Sequence, residues 1–438
     1  MGGRAGSGGL LRQRGFRLLW TGETISQLGN AMAMVGVPLV AVIVLKAGTF
    51  AVGLITAAAW LPWLVIGLPA GAWVDRLPAR RVMIACDVIS AVLYASVPAA
   101  AWAGRLSVGL VVAVQLLGGA ASVVFMTAYQ VYLPSLVSTE ELTEGNARMQ
   151  GSASAAAFAG PGAAGLVAQA LGAVTALLLN GISFLVSAAC LAGTGAGAER
   201  QSPPRQRGPV RRQIADGLRL VLGDKFLRQL SIFWAVANLA LTGYAALLVV
   251  FLVRVIGLSA GAVGLLTAVP GAGGILGALL ARRVTERHGT ARGLLLAALC
   301  AMPAALLIPL TGPGLRLVFY LAGAMVAYAG IAVGNIIIAA FRQSYAPPGM
   351  CGRVTASMRF LIFGTSPVGA LAGGSLASWL GIRDALWILL GLASLSPALL
   401  LTRSLTARRD LPGRPHSVQQ ELDCAVRPAD RRGHDPLH

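Results

Sequence analysis

Long apolar runs alternate with short charged stretches along most of this chain. Residues 51–73 contain no charged side chain, and residues 82–103 contain only Asp87. A helix of about 20 apolar residues crosses the hydrocarbon core of a bilayer, so each run is long enough to span a membrane. The pattern continues from residue 16 to residue 402, and it predicts twelve membrane helices.

The predicted helices fall into two groups of six. We expect one six-helix bundle at residues 16–195 and a second at residues 225–402, joined by a cytoplasmic linker at residues 196–224. The linker is rich in Pro and Arg and ends in an amphipathic stretch, which is typical of a helix lying on the membrane surface. Residues 1–15 and 403–438 are polar and rich in Gly, Arg or Pro, and we expect both to be disordered.

The two groups show signs of an internal repeat. Gly71, which precedes a basic loop, recurs as Gly277 before a second basic loop. Pro161 recurs as Pro367, and both pairs are 206 residues apart. A duplicated six-helix unit is what a transporter needs when substrate sits between two halves that move against each other.

Composition supports a membrane protein. The chain has 438 residues, of which 56% are hydrophobic and 12% are charged, with a mean hydropathy of +0.74. Such values lie far outside the range of soluble domains. A net charge of +19 would indicate a nucleic-acid partner in a soluble chain, but here the basic residues can be compared with the predicted topology.

The basic residues are divided unevenly between the two sides of the predicted membrane. Of the 35 Lys and Arg residues, 30 fall on one side. The other five are Lys46, Arg105, Arg254, Arg316 and Arg383. Because basic loops remain in the cytoplasm, we expect a multi-pass protein of a bacterial cell membrane with both termini cytoplasmic. The charge is thereby explained without nucleic acid.

A motif lies between the second and third predicted helices. Residues 71–87 read GAWVDRLPARRVMIACD, which contains G-x-x-x-D-R-x-x-x-R-R. Together with YQVYLPSLVSTEELTEGNARMQ (129–150) and GRVTASMRF (352–360), it resembles the major facilitator superfamily, and in particular the twelve-helix drug:proton antiporters that include macrolide and siderophore exporters. The resemblance covers about residues 12–405. It implies an all-α integral membrane fold of two pseudo-symmetric six-helix bundles that transports by alternating access.

The resemblance also assigns a conformational latch to this loop. Its residues are Gly71, Asp75, Arg76, Arg80 and Arg81. In the family, the aspartate faces the N-terminus of the eleventh helix, where unpaired N–H groups favour an anion, and in this chain that helix end lies near residues 353–357. The alternative is a solvated aspartate that pairs locally with Arg76.

Two acidic residues fall within predicted helices on the cytoplasmic side. Glu23 and Asp87 are candidates for proton coupling, because an ionisable group at such depth is costly unless it is paired or functional. The alternatives are an interfacial position for Glu23, and for Asp87 a pairing with Arg80, Arg81 or a helix end. At three positions where relatives usually carry aspartate, this chain has a neutral side chain: Asn30, Met126 and Asn180. Since neutral side chains cannot exchange a proton, coupling would depend on the two remaining acids.

Other residues are candidates for substrate binding or for bending a helix. Three residues are candidates for the substrate cavity: Asn30, Gln115 and Arg359. For Arg359 the alternatives are binding of an anionic substrate group, pairing with an acid of the other half, and extension to the membrane surface. Gly160 and Pro161 form a predicted hinge in the fifth helix, because proline removes one backbone donor.

These observations favour a secondary active exporter of a small amphipathic compound, such as a drug, an antibiotic or a siderophore-like metabolite, coupled to proton antiport. The alternatives are a uniporter or uptake symporter of a small metabolite, or a non-transporting membrane protein of the same fold. No phosphate loop or His cluster indicates an enzyme, and the cysteines lack metal-ligand spacing. We therefore expect no cofactor and no metal, and the predicted partners are a small-molecule substrate, protons and the lipid bilayer around a monomer.

Overall fold

The structure is a computed structural model of the full chain. It describes residues 10–67, 69–74, 77–138, 140–194, 210–347 and 350–413. Within these ranges the chain is helical and contains no β-strand. This confirms the predicted all-α fold.

The first half contains seven helices. They are α1 (Arg14–Leu39), α2 (Thr49–Val65), α3 (Ala70–Val74), α4 (Ala79–Trp102), α5 (Val108–Leu136), α6 (Leu142–Leu171) and α7 (Ala173–Gly193). A surface helix, α8 (Val210–Gly223), follows. The second half comprises α9 (Lys225–Val250), α10 (Ala260–His288), α11 (Thr290–Ala304), α12 (Leu317–Tyr345), α13 (Cys351–Phe363), α14 (Ser366–Leu380), α15 (Ile382–Leu395) and α16 (Arg403–Thr406).

Eleven helical segments of the described chain are long and apolar enough to cross a membrane. A shorter apolar helix, α2, accounts for the remaining crossing, which is the second in chain order, and α3 follows it before the basic loop. The eleventh crossing is made of α13 and α14, which are separated by a break at Gly364 and Thr365. The number of crossings therefore agrees with the sequence pattern, while two of the crossings are interrupted.

The break between α13 and α14 is stabilised from α9. Pro367 has no N–H to donate to the carbonyl oxygen of Phe363, which interrupts the regular helical hydrogen bonds at this point. The amide of Asn238 donates to the carbonyl oxygen of Ile362 at 2.9 Å and to the hydroxyl oxygen of Ser366 at 2.8 Å. The hydroxyl of Thr365 also donates to the Ile362 oxygen, at 2.7 Å. The side chain of Asn238 on α9 and the hydroxyl of Thr365 within the break thus stabilise the interruption.

We call the end of the bundle that carries the Arg-rich loops the basic end, and the opposite end the far end. At the far end the two halves share one hydrophobic core, which contains Leu39 and Val52 from the first half and Tyr244 and Leu386 from the second. Close van der Waals packing of these side chains holds the halves together there, because lipid tails are as apolar as the side chains and hydrophobic burial gives little advantage between membrane helices.

Glycines allow the halves to approach closely at the far end. A Cβ added to Gly53 of α2 would lie 2.6 Å from the carbonyl oxygen of Ala370 on α14. A Cβ added to Gly264 of α10 would lie 2.6 Å from the Cα of Gly165 on α6. Because no larger residue fits at these contacts, the small side chains decide how tightly this end closes.

At the basic end the two halves have separate cores. One contains only residues of the first half, including Phe16, Met83 and Tyr132, and the other contains Val221 of α8 and residues of the second half, including Phe233 and Met358. The halves therefore diverge, and a cleft opens towards the basic end. Met34, on the central helix α1, is 71% exposed, as expected for a side chain that faces this cleft.

The structure differs from the predicted disorder near both ends of the chain. Leu10, which was placed in a disordered N-terminus, lies in a 3₁₀ turn and is buried in the first-half core. Residues 403–413, which were placed in a disordered tail, contact the loop between α10 and α11. There the Asp410 carboxylate accepts the N–H of Thr290 at 2.8 Å, and the carbonyl oxygen of Arg409 accepts the N–H of Ala291 at 3.0 Å. Polar composition did not reveal these docking contacts.

Candidate functional site

Two buried carboxylates lie inside the first half and interact electrostatically. Glu23 is 7% exposed and Asp87 is 1% exposed. At a rise of about 1.5 Å per residue, Glu23 lies about 14 Å along α1 from its start and Asp87 about 12 Å along α4. The two carboxylates interact electrostatically, so the structure brings together both acids that the sequence singled out.

Close packing of α1 against α7 positions Glu23. A Cβ added to Gly22 would lie 2.9 Å from the Cβ of Cys190 and 3.2 Å from the Cα of Ser187. A Cβ added to Gly29, two turns further along α1, would lie 2.6 Å from Oδ1 of Asn180. The two glycines thus let the helix backbones approach, and the residue after Gly22 is carried into the space between α1, α4 and α7.

The hydrogen-bonding groups around the two acids are all neutral. The amide of Gln27 donates to Oε1 of Glu23 at 3.0 Å, and the hydroxyl of Ser187 bonds to Asp87. The second oxygen of each carboxylate, Oε2 of Glu23 and Oδ2 of Asp87, is buried and has no donor among the described residues. Tyr129 of α5 is a further electrostatic neighbour of Glu23.

Polar side chains continue along the face of α7 that meets α1 and α4. Asn180, Ser183 and Ser187 are buried at a spacing that places them on one side of the helix, and Ser26 and Ser90 are buried on the two neighbouring helices. We call these five residues, with Glu23 and Asp87, the polar seam. Neither acid of the seam takes part in the ion pairs found among the described residues.

This arrangement is suited to holding a proton. Two buried carboxylates that interact electrostatically, with no cation paired to either among the described residues, cannot both carry a charge at low cost, whereas a bound proton removes one of the charges. A metal site is less well matched, because no group of three or more His, Cys, Asp or Glu side chains is found in the described part of the chain. Asn180, at a position where relatives carry aspartate, adds an unpaired amide nitrogen rather than a third acid.

Three of the five residues assigned to the latch, Gly71, Arg80 and Arg81, lie in the described part of the chain. The guanidinium of Arg80 donates to the carbonyl oxygens of Leu191 and Ala192, at 2.8 and 2.5 Å, and so caps the C-terminus of α7. Arg80 therefore does not pair with Asp87, and Arg81 is exposed. Gly71 lies in α3, while Asp75 and Arg76 lie outside the described residues.

The expected docking place of the latch, at the start of α13, is occupied by α8. A Cβ added to Gly217 would lie 2.6 Å from Oγ of Ser357 and 3.0 Å from the carbonyl oxygen of Arg353. Such close contact means that α8 covers this helix end in the present conformation. The contact of Asp75 with α13 remains a prediction.

The three candidates for the substrate cavity have different surroundings. Asn30 is exposed on α1, one helical turn before the exposed Met34. Gln115 accepts a hydrogen bond from the Tyr94 hydroxyl at 3.1 Å, inside the first half. Arg359 is exposed on α13, and no hydrogen bond or ion pair to it is found among the described residues.

The predicted hinge pair lies inside an unbroken helix. Pro161 is within α6, which continues to Leu171. A Cβ added to Gly160 would collide with Ala31 of α1. Close packing is thus the visible role of Gly160, and bending at Pro161 remains a prediction.

The fold agrees with what comparison with known proteins shows. A family model described as the Major Facilitator Superfamily matches residues 19–367. The match covers well over half of the chain, and the protein belongs to this superfamily. It is therefore a membrane transporter and not an enzyme.

Individual relatives support the same class. The chain is 28% identical over 367 residues to the multidrug efflux pump Tap of Mycolicibacterium fortuitum, with 81% of this chain and 87% of that protein covered. Among solved structures it resembles a mutant of the nucleoside transporter NupG, with a TM-score of 0.74 at 13% identity over 88% of this chain and 99% of that one. It also resembles a bacterial homologue of the iron transporter ferroportin in an inward-facing state, with a TM-score of 0.68 at 17% identity over 90% and 99% of the two chains.

Several residues of the site were not predicted from the sequence. Ser187 and Gln27 bond to the acids, Tyr129 lies beside Glu23, and Arg342 lies beside Arg359. Ser187 could have been found from the sequence, because Asn180, Ser183 and Ser187 are regularly spaced on an otherwise apolar helix. Tyr129 and Arg342 gave no such signal, because their neighbours come from other helices.

Proposed function

We propose that this protein is a proton-coupled exporter of small amphipathic compounds and that Glu23 and Asp87 form its proton site. The observation that carries the proposal is the pair of buried, electrostatically interacting carboxylates, each with an oxygen that lacks a donor among the described residues. Similarity to a protein named as a multidrug efflux pump supports the direction and the substrate class.

The basic end is proposed to face the cytoplasm of a bacterial cell. Most of the basic residues fall on this side, and the bias of Lys and Arg towards cytoplasmic loops supports the orientation. The cleft then opens inward, so a compound in the cytoplasm or the inner leaflet enters between the halves. In this orientation both ends of the described chain are cytoplasmic, and a single copy contains both halves of the pathway.

Coupling follows if the acids hold a proton while the compound is absent and release it when the compound binds. In the present conformation α1, α4 and α7 enclose the two acids, and this burial favours a bound proton. We expect the acids to take up a proton from outside when the far end is open. In the inward-open form, binding of the compound then displaces that proton to the cytoplasm.

The test uses vesicles of purified protein and a compound first selected from a panel of labelled amphipathic antibiotics in an exporter-deficient bacterial strain. The variants are Glu23→Gln and Asp87→Asn, with Glu140→Gln, an exposed acid, as the matched control. We expect each buried variant to lose accumulation driven by a pH gradient while keeping exchange of the compound at equal concentrations. Normal gradient-driven accumulation in the double variant would rule out this site as the coupling site.

A uniporter is distinguished by the unmodified protein itself. If unmodified vesicles show equilibrium exchange but never concentrate the compound under a pH gradient, transport is not proton-coupled. The carboxylate pair would then have a structural role.

A further inference from the structure

Two arginines of the second half lie beside each other at the basic end. Arg342 is in the last turn of α12, and Arg359 is in the third turn of α13. They are close enough to repel each other electrostatically. Neither takes part in the ion pairs found among the described residues. Like charges held together without an acid are unfavourable, so an anionic partner would stabilise them.

Arg342 also has a buried hydrogen-bond donor that lacks an acceptor in the described structure. Its side chain is half-buried, and its Nε atom is fully buried without a hydrogen-bond acceptor in the described structure. Nearly all buried donors in proteins have an acceptor. The C-terminal carbonyl groups of α12 offset part of the charge, but they leave the Nε donor unmet. A hydrogen-bond acceptor that carries negative charge would therefore satisfy the Nε donor and offset the two positive charges.

The exposed face of α13 directs Arg359 into the cleft. Gly352, Ala356 and Arg359 are exposed on one stripe of the helix, whereas Val354 and Met358 are buried in the second-half core. The stripe continues to Phe363, because residues four apart lie on the same face. Phe363 contacts the first half, so Arg359 projects into the space between the halves.

Aromatic rings lie one helical turn above Arg359. The ring of Phe363 stacks on that of Trp60 with centroids 5.6 Å apart, and it meets that of Trp63 edge-on at 6.0 Å. One turn of helix is about 5.4 Å, so the rings and the arginine lie within the length of a small aromatic molecule. The Arg359 guanidinium and the three aromatic rings thus lie close together.

We propose that Arg342 and Arg359 bind one anionic group, a carboxylate, sulfonate or phosphate, on the transported compound, whose apolar body lies against Trp60, Trp63 and Phe363. The protein then selects amphipathic anions over neutral compounds of the same shape. The assignment rests on the proposed export function and specifies its substrate class. An anionic lipid headgroup offers the same chemistry, and the experiment distinguishes the two sources.

The test compares two probes that share one ring system. The anionic probe is 8-anilinonaphthalene-1-sulfonate, and the neutral one is N-phenyl-1-naphthylamine, which lacks the sulfonate. Binding to the full chain in phosphatidylcholine nanodiscs is measured by energy transfer from tryptophan, after subtraction of the signal from empty nanodiscs. We expect Arg342→Gln and Arg359→Gln each to weaken binding of the anionic probe about tenfold and to leave the neutral probe unchanged.

The matched control is Arg287→Gln, an exposed arginine at the same end of the same half. It should bind both probes as the unmodified chain does. Unchanged neutral-probe binding also shows that each variant is folded. If the anionic probe binds the arginine variants normally, or if both probes weaken equally, the assignment is overturned.

A second arm replaces part of the phosphatidylcholine with phosphatidylglycerol. If the anionic probe still binds the unmodified chain with its original affinity, the site takes a solute. If phosphatidylglycerol displaces it in the unmodified chain, the site takes a lipid headgroup and the substrate assignment fails. Because binding is measured at equilibrium without a pH gradient, its result is independent of whether Glu23 and Asp87 couple transport to protons.

Discussion

The guanidinium of Arg254 donates a 2.7 Å hydrogen bond to the carbonyl oxygen of Ala47, and this bond joins the two halves at the far end. Ala47 follows Lys46, the described non-glycine residue with a positive φ, 49°. A second polar link lies nearby, where Oε1 of Gln169 accepts the N–H of Gly261 at 3.0 Å. Both links cross between the halves, so both must break when the far end opens.

Removing the first link should make the far end open more often. A hydrogen bond from a charged group contributes about 1.5–3 kcal/mol, so Arg254→Gln should raise the open population by about tenfold or more. The measurement is maleimide labelling from the far end of a Val52→Cys variant in a cysteine-free background, because Val52 is 0% exposed in this conformation. Arg105→Gln, an exposed arginine at the same end, should leave labelling unchanged. Equal labelling in both arginine variants would show that the bond does not hold the end closed.

The contact of α6 with α10 allows a sharper test of how the far end closes. A side chain at Gly264 would meet the backbone of Gly165, whereas a side chain at Gly274, on the same helix, would meet nothing within 4 Å. We expect Gly264→Val to force the halves apart and to abolish transport in vesicles, and Gly274→Val to transport normally. Comparable transport by the two variants would contradict the close-packing argument.

Arg80 and Arg81 are adjacent in the motif but should differ in their effect on stability. Arg80→Gln removes bonds to two carbonyl groups at the end of α7, and loss of such charge-assisted bonds should cost about 1.5–3 kcal/mol of unfolding free energy. Arg81→Gln removes an exposed charge and should cost less than about 0.5 kcal/mol. Thermal unfolding of the purified variants, followed by loss of the monodisperse size-exclusion peak, compares them. Equal midpoints would argue against Arg80 as a cap.

The segment after α16 should stabilise the second half. Asp410 acts as a side-chain cap for the start of α11, and the hydroxyl of Thr290 accepts the N–H of Leu411 at 2.8 Å. A chain that ends after Thr406 loses these bonds and should unfold at a lower temperature, since one such cap contributes about 0.5–2 kcal/mol. A chain that ends after Gly413 keeps them and should match the full chain. If the two truncated chains unfold together, the docking contacts contribute nothing measurable.

The family, the crossings and the two candidate acids were accessible from the sequence. Span-length apolar runs report directly on burial in lipid, so the pattern of hydropathy predicted the helices, and the motif at residues 71–87 identified the superfamily. Glu23 and Asp87 were visible because a charge is rare inside a membrane helix, and rarity can be recognised without knowing the neighbours.

Which helices meet, and which end is closed, was decided only by the tertiary structure. The sequence suggested no contact between Arg80 and the end of α7, which lies more than 100 residues away in the chain and is brought to it only by packing. It also left Arg342 unnoticed, because the residue becomes unusual only when α13 brings Arg359 beside it. Hydropathy is a property of each segment alone, but partners, unmet donors and the cleft depend on contacts between segments, which is why only the folded chain defines them.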